Sequence, residues 1–164
     1  MSTSESSEQG EASGPPSVEA LLAAYRRVDE TMRALPVYNA ALQVAAAGFR
    51  PFEGGLIGVI VTPWFMNLVR VPARGAEVEA GVTRESALPA HRVDLVGARL
   101  DGAPPFEFRP IVSPMDDFPS QAQVLLTAGE VMDALFTPRE VTAGVQEPLA
   151  RVTGRRGLFN ALRK

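Results

Sequence analysis

The sequence contains no cysteine. Disulfides, thiolate nucleophiles, cysteine-based zinc sites and iron–sulfur ligation by this chain are therefore excluded, because each needs a thiol or thiolate. Histidine occurs once, as His91, which removes every metal site built on a pair of imidazoles. Lysine is nearly missing as well: of sixteen basic residues only Lys164 is lysine, and the others are arginine. An excess of either charge is also lacking. The net charge is −3 over 164 residues, so no overall positive field draws in nucleic acid or an anionic membrane. Carboxylates, hydroxyls and guanidinium groups are what remain for chemistry.

Long apolar runs are absent too. The uncharged stretch Gly54 to Val69, as long as any in the chain, lies between Glu53 and Arg70 and is interrupted by Gly58, Thr62, Pro63 and Asn67. It falls short of the roughly 20 apolar residues that a membrane helix needs, so no membrane span is expected. Residues 1–17 are rich in Ser, Glu, Gly and Pro, without the basic start and apolar run of a secretory signal. With so little apolar surface to offset ordering entropy, they are expected to form a disordered tail. The expected location is the cytoplasm.

Helical periodicity marks two segments. Ser17 and Glu19 suit a helix start, and Val18, Leu21, Leu22, Tyr25, Val28 and Met32 recur at steps of three and four up to Pro36. A second stripe, Val124, Leu125, Ala128, Val131, Met132, Leu135 and Phe136, predicts a helix from Phe118 or Ser120 to Phe136, stopped by Thr137-Pro138. Between them, Leu42–Phe49, Leu56–Val61, Phe65–Val71, Val93–Leu100 and Phe106–Val112 read as strands, the last two joined as a hairpin through Asp101-Gly102. Leu56–Val61 has the β-branched character of a strand buried on both faces. Residues 73–90 carry little pattern and read as a loop. Helix, strands, helix, with no alternation of strand and helix, predicts a single α+β domain over residues 18–138. Its antiparallel sheet is flanked by an N-terminal and a C-terminal helix. Residues 139–164 are expected to be an irregular basic segment.

Candidate chemistry is sparse. Gly54-Gly55-Leu56-Ile57-Gly58 lacks the Lys-Ser/Thr of a phosphate loop, and no Gly-x-Ser-x-Gly elbow occurs. His91 has no partner pattern around it and reads as a surface loop residue. Asp116-Asp117 is followed by Phe118-Pro119 rather than by the further oxygens and closing glutamate of a calcium loop, and a pair favouring the next helix's N-terminus is the plainer reading. The C-terminal Arg151, Arg155, Arg156, Arg163 and Lys164 read as a solvated basic end, with an acidic partner or RNA as the sharper option. Most unusual is Thr62-Pro63-Trp64-Phe65-Met66-Asn67-Leu68, which joins the single tryptophan to a Phe and a Met. As a strand it would place Trp64, Met66 and Leu68 on one face and Phe65 and Asn67 on the other, both largely apolar. Core packing is the default for each residue; for the whole segment a partner surface competes with it.

Arg50-Pro51-Phe52-Glu53-Gly54-Gly55, running into Gly58-Val59-Ile60-Val61 and Thr62–Leu68, resembles the signature of the HybE/HupJ-type [NiFe]-hydrogenase assembly chaperones. Leu95-Val96-Gly97, Leu100-Asp101-Gly102, Ser113-Pro114-Met115 and Arg155-Arg156 with Leu158-Phe159 resemble further blocks in the same order. The sequence departs from that pattern where the family often carries Cys-Ser-Leu: here the stretch is Arg109-Pro110-Ile111. A redox or cluster-ligand role for that thiol cannot apply to this chain. The resemblance implies a cytoplasmic, non-catalytic maturation factor without cofactor or metal. It would bind the hydrogenase small-subunit precursor, with its twin-arginine signal peptide, and possibly the large subunit and other maturation factors. The expected partner surface combines Trp64, Phe65, Met66 and Asn67 with Glu53, Asp116 and Asp117, whose carboxylates would meet the twin arginines, and with Arg155 and Arg156 as assisting charge. Two rival classes stay open on the sequence. One is a small hydrolase using Asp116 or Glu53 as general base; the other is a small-molecule or RNA-binding module using the arginines.

Overall fold

The first helix, α1 (Val18–Met32), turns its apolar stripe inward, burying Leu21, Leu22, Ala24 and Tyr25. It stops four residues before Pro36, because Leu35 N–H reaches back only to Met32 O and the chain tightens out of the α-helix. Six strands follow: β1 (Ala45–Phe52), β2 (Gly55–Val61), β3 (Met66–Val71), β4 (Thr83–Ala87), β5 (Arg92–Ala98) and β6 (Phe106–Val112), and then α2 (Gln121–Phe136). This computed structural model describes residues 18–138. The expected N-terminal tail, its Ser17 cap and the basic segment 139–164 lie outside the described residues.

All strand pairings are antiparallel, in the order β1-β2-β3-β6-β5-β4. The expected α+β class and its flanking helices are therefore correct. The helices take opposite faces. On one, Val124, Ala128, Val131, Met132 and Leu135 of α2 pack with Ile57, Val59, Val61, Met66, Leu68, Val93 and Leu95. On the other, Leu21, Leu22 and Tyr25 of α1 pack with Val44, Ile60, Val69, Val71 and Phe106. β2 supplies side chains to both clusters, as its unbroken apolar run predicted.

Two readings are corrected. The stretch 73–90 is not all loop: β4 forms within it, pairing Arg84 with Leu95 and Ser86 with Val93. Its Thr83, Arg84 and Glu85 are exposed, so it has no apolar alternation to signal it. The strand read as Phe65–Val71 begins at Met66, which leaves Trp64 and Phe65 in a turn. The sheet margins are interrupted. β1 carries a bulge between Ala47 and Arg50, with Gly48 at φ 66°, and has the N–H-less Pro51 near its end. In the middle of β2, Gly58 has no side chain because the Phe49 ring occupies its place: a Cβ would lie 2.4 Å from that ring.

Candidate functional site

The turn between β2 and β3 is built by Thr62. Its hydroxyl accepts from Trp64 N–H at 3.3 Å and Phe65 N–H at 3.0 Å, and donates to Phe65 O at 3.1 Å. Pro63 sits where a fixed φ favours turning. The chain therefore leaves the ladder over the four residues Thr62–Phe65, and both aromatic rings emerge on the α1 side. Trp64 stacks between two rings, with its centroid 5.6 Å from Phe65 and 6.4 Å from Tyr38. Phe65 in turn meets Tyr25 of α1 at 5.6 Å. Tyr38 is anchored through its hydroxyl, which donates to Asp29 Oδ1 at 3.0 Å, while Arg33 Nε donates to Asp29 Oδ2 at 3.0 Å. Desolvation first, and the Asp29 carboxylate second, push the Tyr38 phenol above its usual pKa, so it stays a neutral donor. Burial likewise pushes Tyr25 upward. Trp64 and Phe65 are each half-buried, with part of each ring left facing solvent.

Asn39 ties this turn to the segment ahead of α2. Its backbone N–H donates to Pro63 O at 2.8 Å, and its side-chain amide donates to Met115 O and Phe118 O, each at 2.9 Å. Asp116 and Asp117 lie between those two carbonyls, both exposed. They do not serve the helix dipole: α2 begins at Gln121, is capped by the Ser120 hydroxyl accepting from Gln123 N–H, and has no acid in its first turn. The pair thus belongs to the same end of the sheet as Trp64.

Beside the turn, on the face where α1 packs, lies a groove of about 700 Å³. Trp64, Phe65, Val96, Phe108 and Pro110 supply its apolar lining, and Asn67, Thr83, Asp94, Arg109 and Ser113 its polar groups. Asn67 is buried, and its Oδ1 has no hydrogen-bond partner; the same holds for the buried Nε of Arg109. Desolvation lowers the Arg109 pKa, and the Asp94 carboxylate offsets part of that.

The structure divides the expected surface. Trp64, Phe65, Asn67, Asp116 and Asp117 come together at one end. Glu53 does not join them. It occupies the β1–β2 turn at φ 47°, at the other end of β2 from Thr62. At about 3.3 Å per strand residue that is roughly 25 Å away. Its carboxylate is already engaged by Arg70 at 2.9 Å, and Arg70 also reaches Glu107 at 3.4 Å. Met66 is fully buried in the α2-side core and faces away from Trp64, so the expected shared face of Trp64, Met66 and Leu68 does not exist. Arg155 and Arg156 lie outside the described residues.

Several groove residues carried a faint signal: Val93 and Leu95 alternate with Asp94 and Val96, and Pro110 interrupts an apolar strand. Neither Glu53 nor Asp116, the bases considered for a hydrolase, lines the groove. Among the described residues no group of three or more His, Asp or Glu side chains is placed to hold a metal ion. His91 sits half-exposed in the turn between β4 and β5, as expected of a loop histidine. No described helix is long and apolar enough to cross a membrane.

Comparison with known proteins agrees with this architecture. Residues 16–161 match the model of the family described as [NiFe]-hydrogenase assembly, chaperone, HybE. The hydrogenase expression/formation protein HoxT of Azotobacter vinelandii is 37% identical over 150 residues, covering 86% of this chain and 92% of that protein. HupJ of Bradyrhizobium diazoefficiens, also a hydrogenase expression/formation protein, is 33% identical over 142 residues, covering 85% and 84%. The solution structure of HybE from Escherichia coli superimposes with a TM-score of 0.61 at 19% identity, covering 84% of this chain and 89% of that one; the likeness is one of fold. This chain belongs to the HybE family of [NiFe]-hydrogenase assembly chaperones.

Proposed function

We propose that this protein is a non-catalytic cytoplasmic chaperone for an uptake [NiFe]-hydrogenase. It binds the small-subunit precursor before twin-arginine export, and can also engage the large subunit. The observation that carries this reading is the Thr62–Phe65 turn, where two stacked, half-exposed aromatic rings border an open groove with Asp116 and Asp117 at the same end. Rigid, partly exposed aromatics are the usual anchors of protein interfaces. The twin arginines of the precursor's signal peptide suit the two free-standing carboxylates through charge-assisted hydrogen bonds. Glu53, held by Arg70 at the far end, is not part of this surface. Arg155 and Arg156 assist through long-range, salt-screened attraction.

The test is the affinity of the purified chain for the small-subunit precursor, with and without its signal peptide. Wild type should bind, and Trp64→Ala should cost about 2 kcal/mol or more of binding. Its loss of stability should stay below the roughly 3–5 kcal/mol of a fully buried tryptophan, because the ring is half-exposed. Failure of the wild-type chain to retain any precursor, or normal binding by Trp64→Ala, would overturn the reading.

A further inference from the structure

We propose that the groove beside the Thr62–Phe65 turn seats an extended, uncharged polypeptide segment of the partner, gripped through its backbone amides by Asn67 and Arg109. This rests on the precursor-binding reading and adds to it a location and a ligand chemistry.

The groove exists because two strands part. The β5–β6 ladder ends at the pair Val96↔Phe108, although β5 extends back to Arg92 and β6 onward to Val112. Beyond that pair, β5 faces only β4, with Asp94 opposite Glu85, and β6 faces only β3, with Pro110 opposite Asn67. Pro110 carries no N–H, which suits a position where no ladder bond is donated. The space left is lined from both diverging strands, by Asp94 on one and by Phe108 and Arg109 on the other.

Its polar groups are incomplete in a complementary way. Asn67, 3% exposed, presents an oxygen with no donor. Arg109 presents a buried Nε–H with no acceptor. Leaving either buried group unpaired costs stability, so the ligand that belongs here supplies one donor and one acceptor together. An anion would serve Arg109 but would meet Asp94 and the Asn67 oxygen; a cation would meet the Arg109 guanidinium. The peptide group offers N–H and C=O without net charge. An extended chain offers them repeatedly, where the sheet's own ladder has stopped. Trp64, Phe108 and Val96 then receive its side chains, which favours small and apolar residues.

The experiment uses the full chain labelled with ¹⁵N and synthetic peptides tiling the small- and large-subunit precursors. At least one uncharged tile should shift the amide resonances of Asn67, Val96, Phe108 and Arg109. Its affinity should fall at least tenfold in Asn67→Leu and in Arg109→Met, with Tm unchanged or raised, since each substitution removes a buried unpaired polar group. A purely structural role would lower Tm and leave the affinity of folded protein intact. The proposal is overturned if no tile shifts these amides, if shifts gather on α2 instead, or if both variants bind as wild type does. It is equally overturned if the groove amides move with protein concentration, which makes a second copy the occupant, or on deletion of residues 139–164 without peptide, which makes it the chain's own end. Retention of intact precursors is measured in parallel. Retention without groove shifts sinks the groove alone, whereas no retention sinks the broader reading.

Discussion

Thr62 and Phe65 hold each other by three hydrogen bonds: Thr62 N–H to Phe65 O at 2.8 Å, the Thr62 hydroxyl to the same oxygen at 3.1 Å, and Phe65 N–H back to that hydroxyl at 3.0 Å. With Trp64 N–H also bound, the hydroxyl uses its one proton and both lone pairs. Thr62 is fully buried, so water cannot replace any of these bonds.

Thr62→Val keeps the shape and removes all the hydroxyl's bonds. It should cost about 1–3 kcal/mol, the range for stranding buried polar groups. Trp64 is the only tryptophan, so its fluorescence reports this turn directly. A red-shifted, more quenchable emission is expected in Thr62→Val, and near-native emission in Thr62→Ser. Identical melting and emission in Thr62→Val and wild type would show that the hydroxyl does not shape the turn.

Asn39→Ala should release the segment carrying Asp116 and Asp117. Two buried carbonyls, of Met115 and Phe118, lose their shared donor, at about 1–3 kcal/mol of stability. Hydrogen exchange should accelerate across residues 115–120 and around Trp64, and precursor binding should weaken. Exchange changes confined to residue 39 and its immediate neighbours would refute the link.

Met66→Ala and Glu53→Gln probe the two expected contacts that the fold withdraws. Met66→Ala opens a cavity under α2 and should lower stability by about 2–5 kcal/mol while its folded fraction binds precursor normally. Glu53→Gln removes a half-exposed partner of Arg70 and should cost roughly 1 kcal/mol or less, with no change in binding. Impaired binding in a well-folded Glu53→Gln protein would return that end of the sheet to the interface.

His91 gives stability a pH dependence of predictable sign. Burial lowers its pKa below the ordinary value, so in the window below about 6.5 the unfolded chain binds more protons than the folded one. Stability therefore rises with pH through this window and falls as pH drops through it. His91→Gln should flatten that slope in melting curves taken between pH 5 and 7; an unaltered slope would assign it to other groups.

The elements legible in the sequence are those whose burial is written as a repeating pattern. The stripe of α2 and the β-branched run of β2 announce themselves because each must bury a defined face. β4 has no such mark: of Thr83–Ala87 only Ser86 is buried, and its pairing with β5 is made by backbone. Trp64 departs from strand alternation for a different reason. Alternation assigns it to the face of Met66, whereas Thr62 converts Pro63-Trp64 into a turn and sends the ring to the α1 side. The residues of this site were recognisable by type, but the groove arises from where the β5–β6 ladder ends, a matter of register between distant segments. Likewise, nothing in the local sequence around Glu53 reveals that Arg70 already holds it.

The interrupted margins of the sheet bear on how such a protein behaves in a crowd. A flat, uninterrupted outer strand would be a template on which neighbouring molecules, or the half-made chains beside them, could grow fibrils. Here the bulge at Gly48 and the missing amide of Pro51 break one border. The other is five residues long and carries Arg84 and Glu85, the latter paired with Arg92 at 2.8 Å. Molecules that collide edge to edge meet charge and kinks rather than open backbone, so copies of this chain can crowd together without extending one another's sheet.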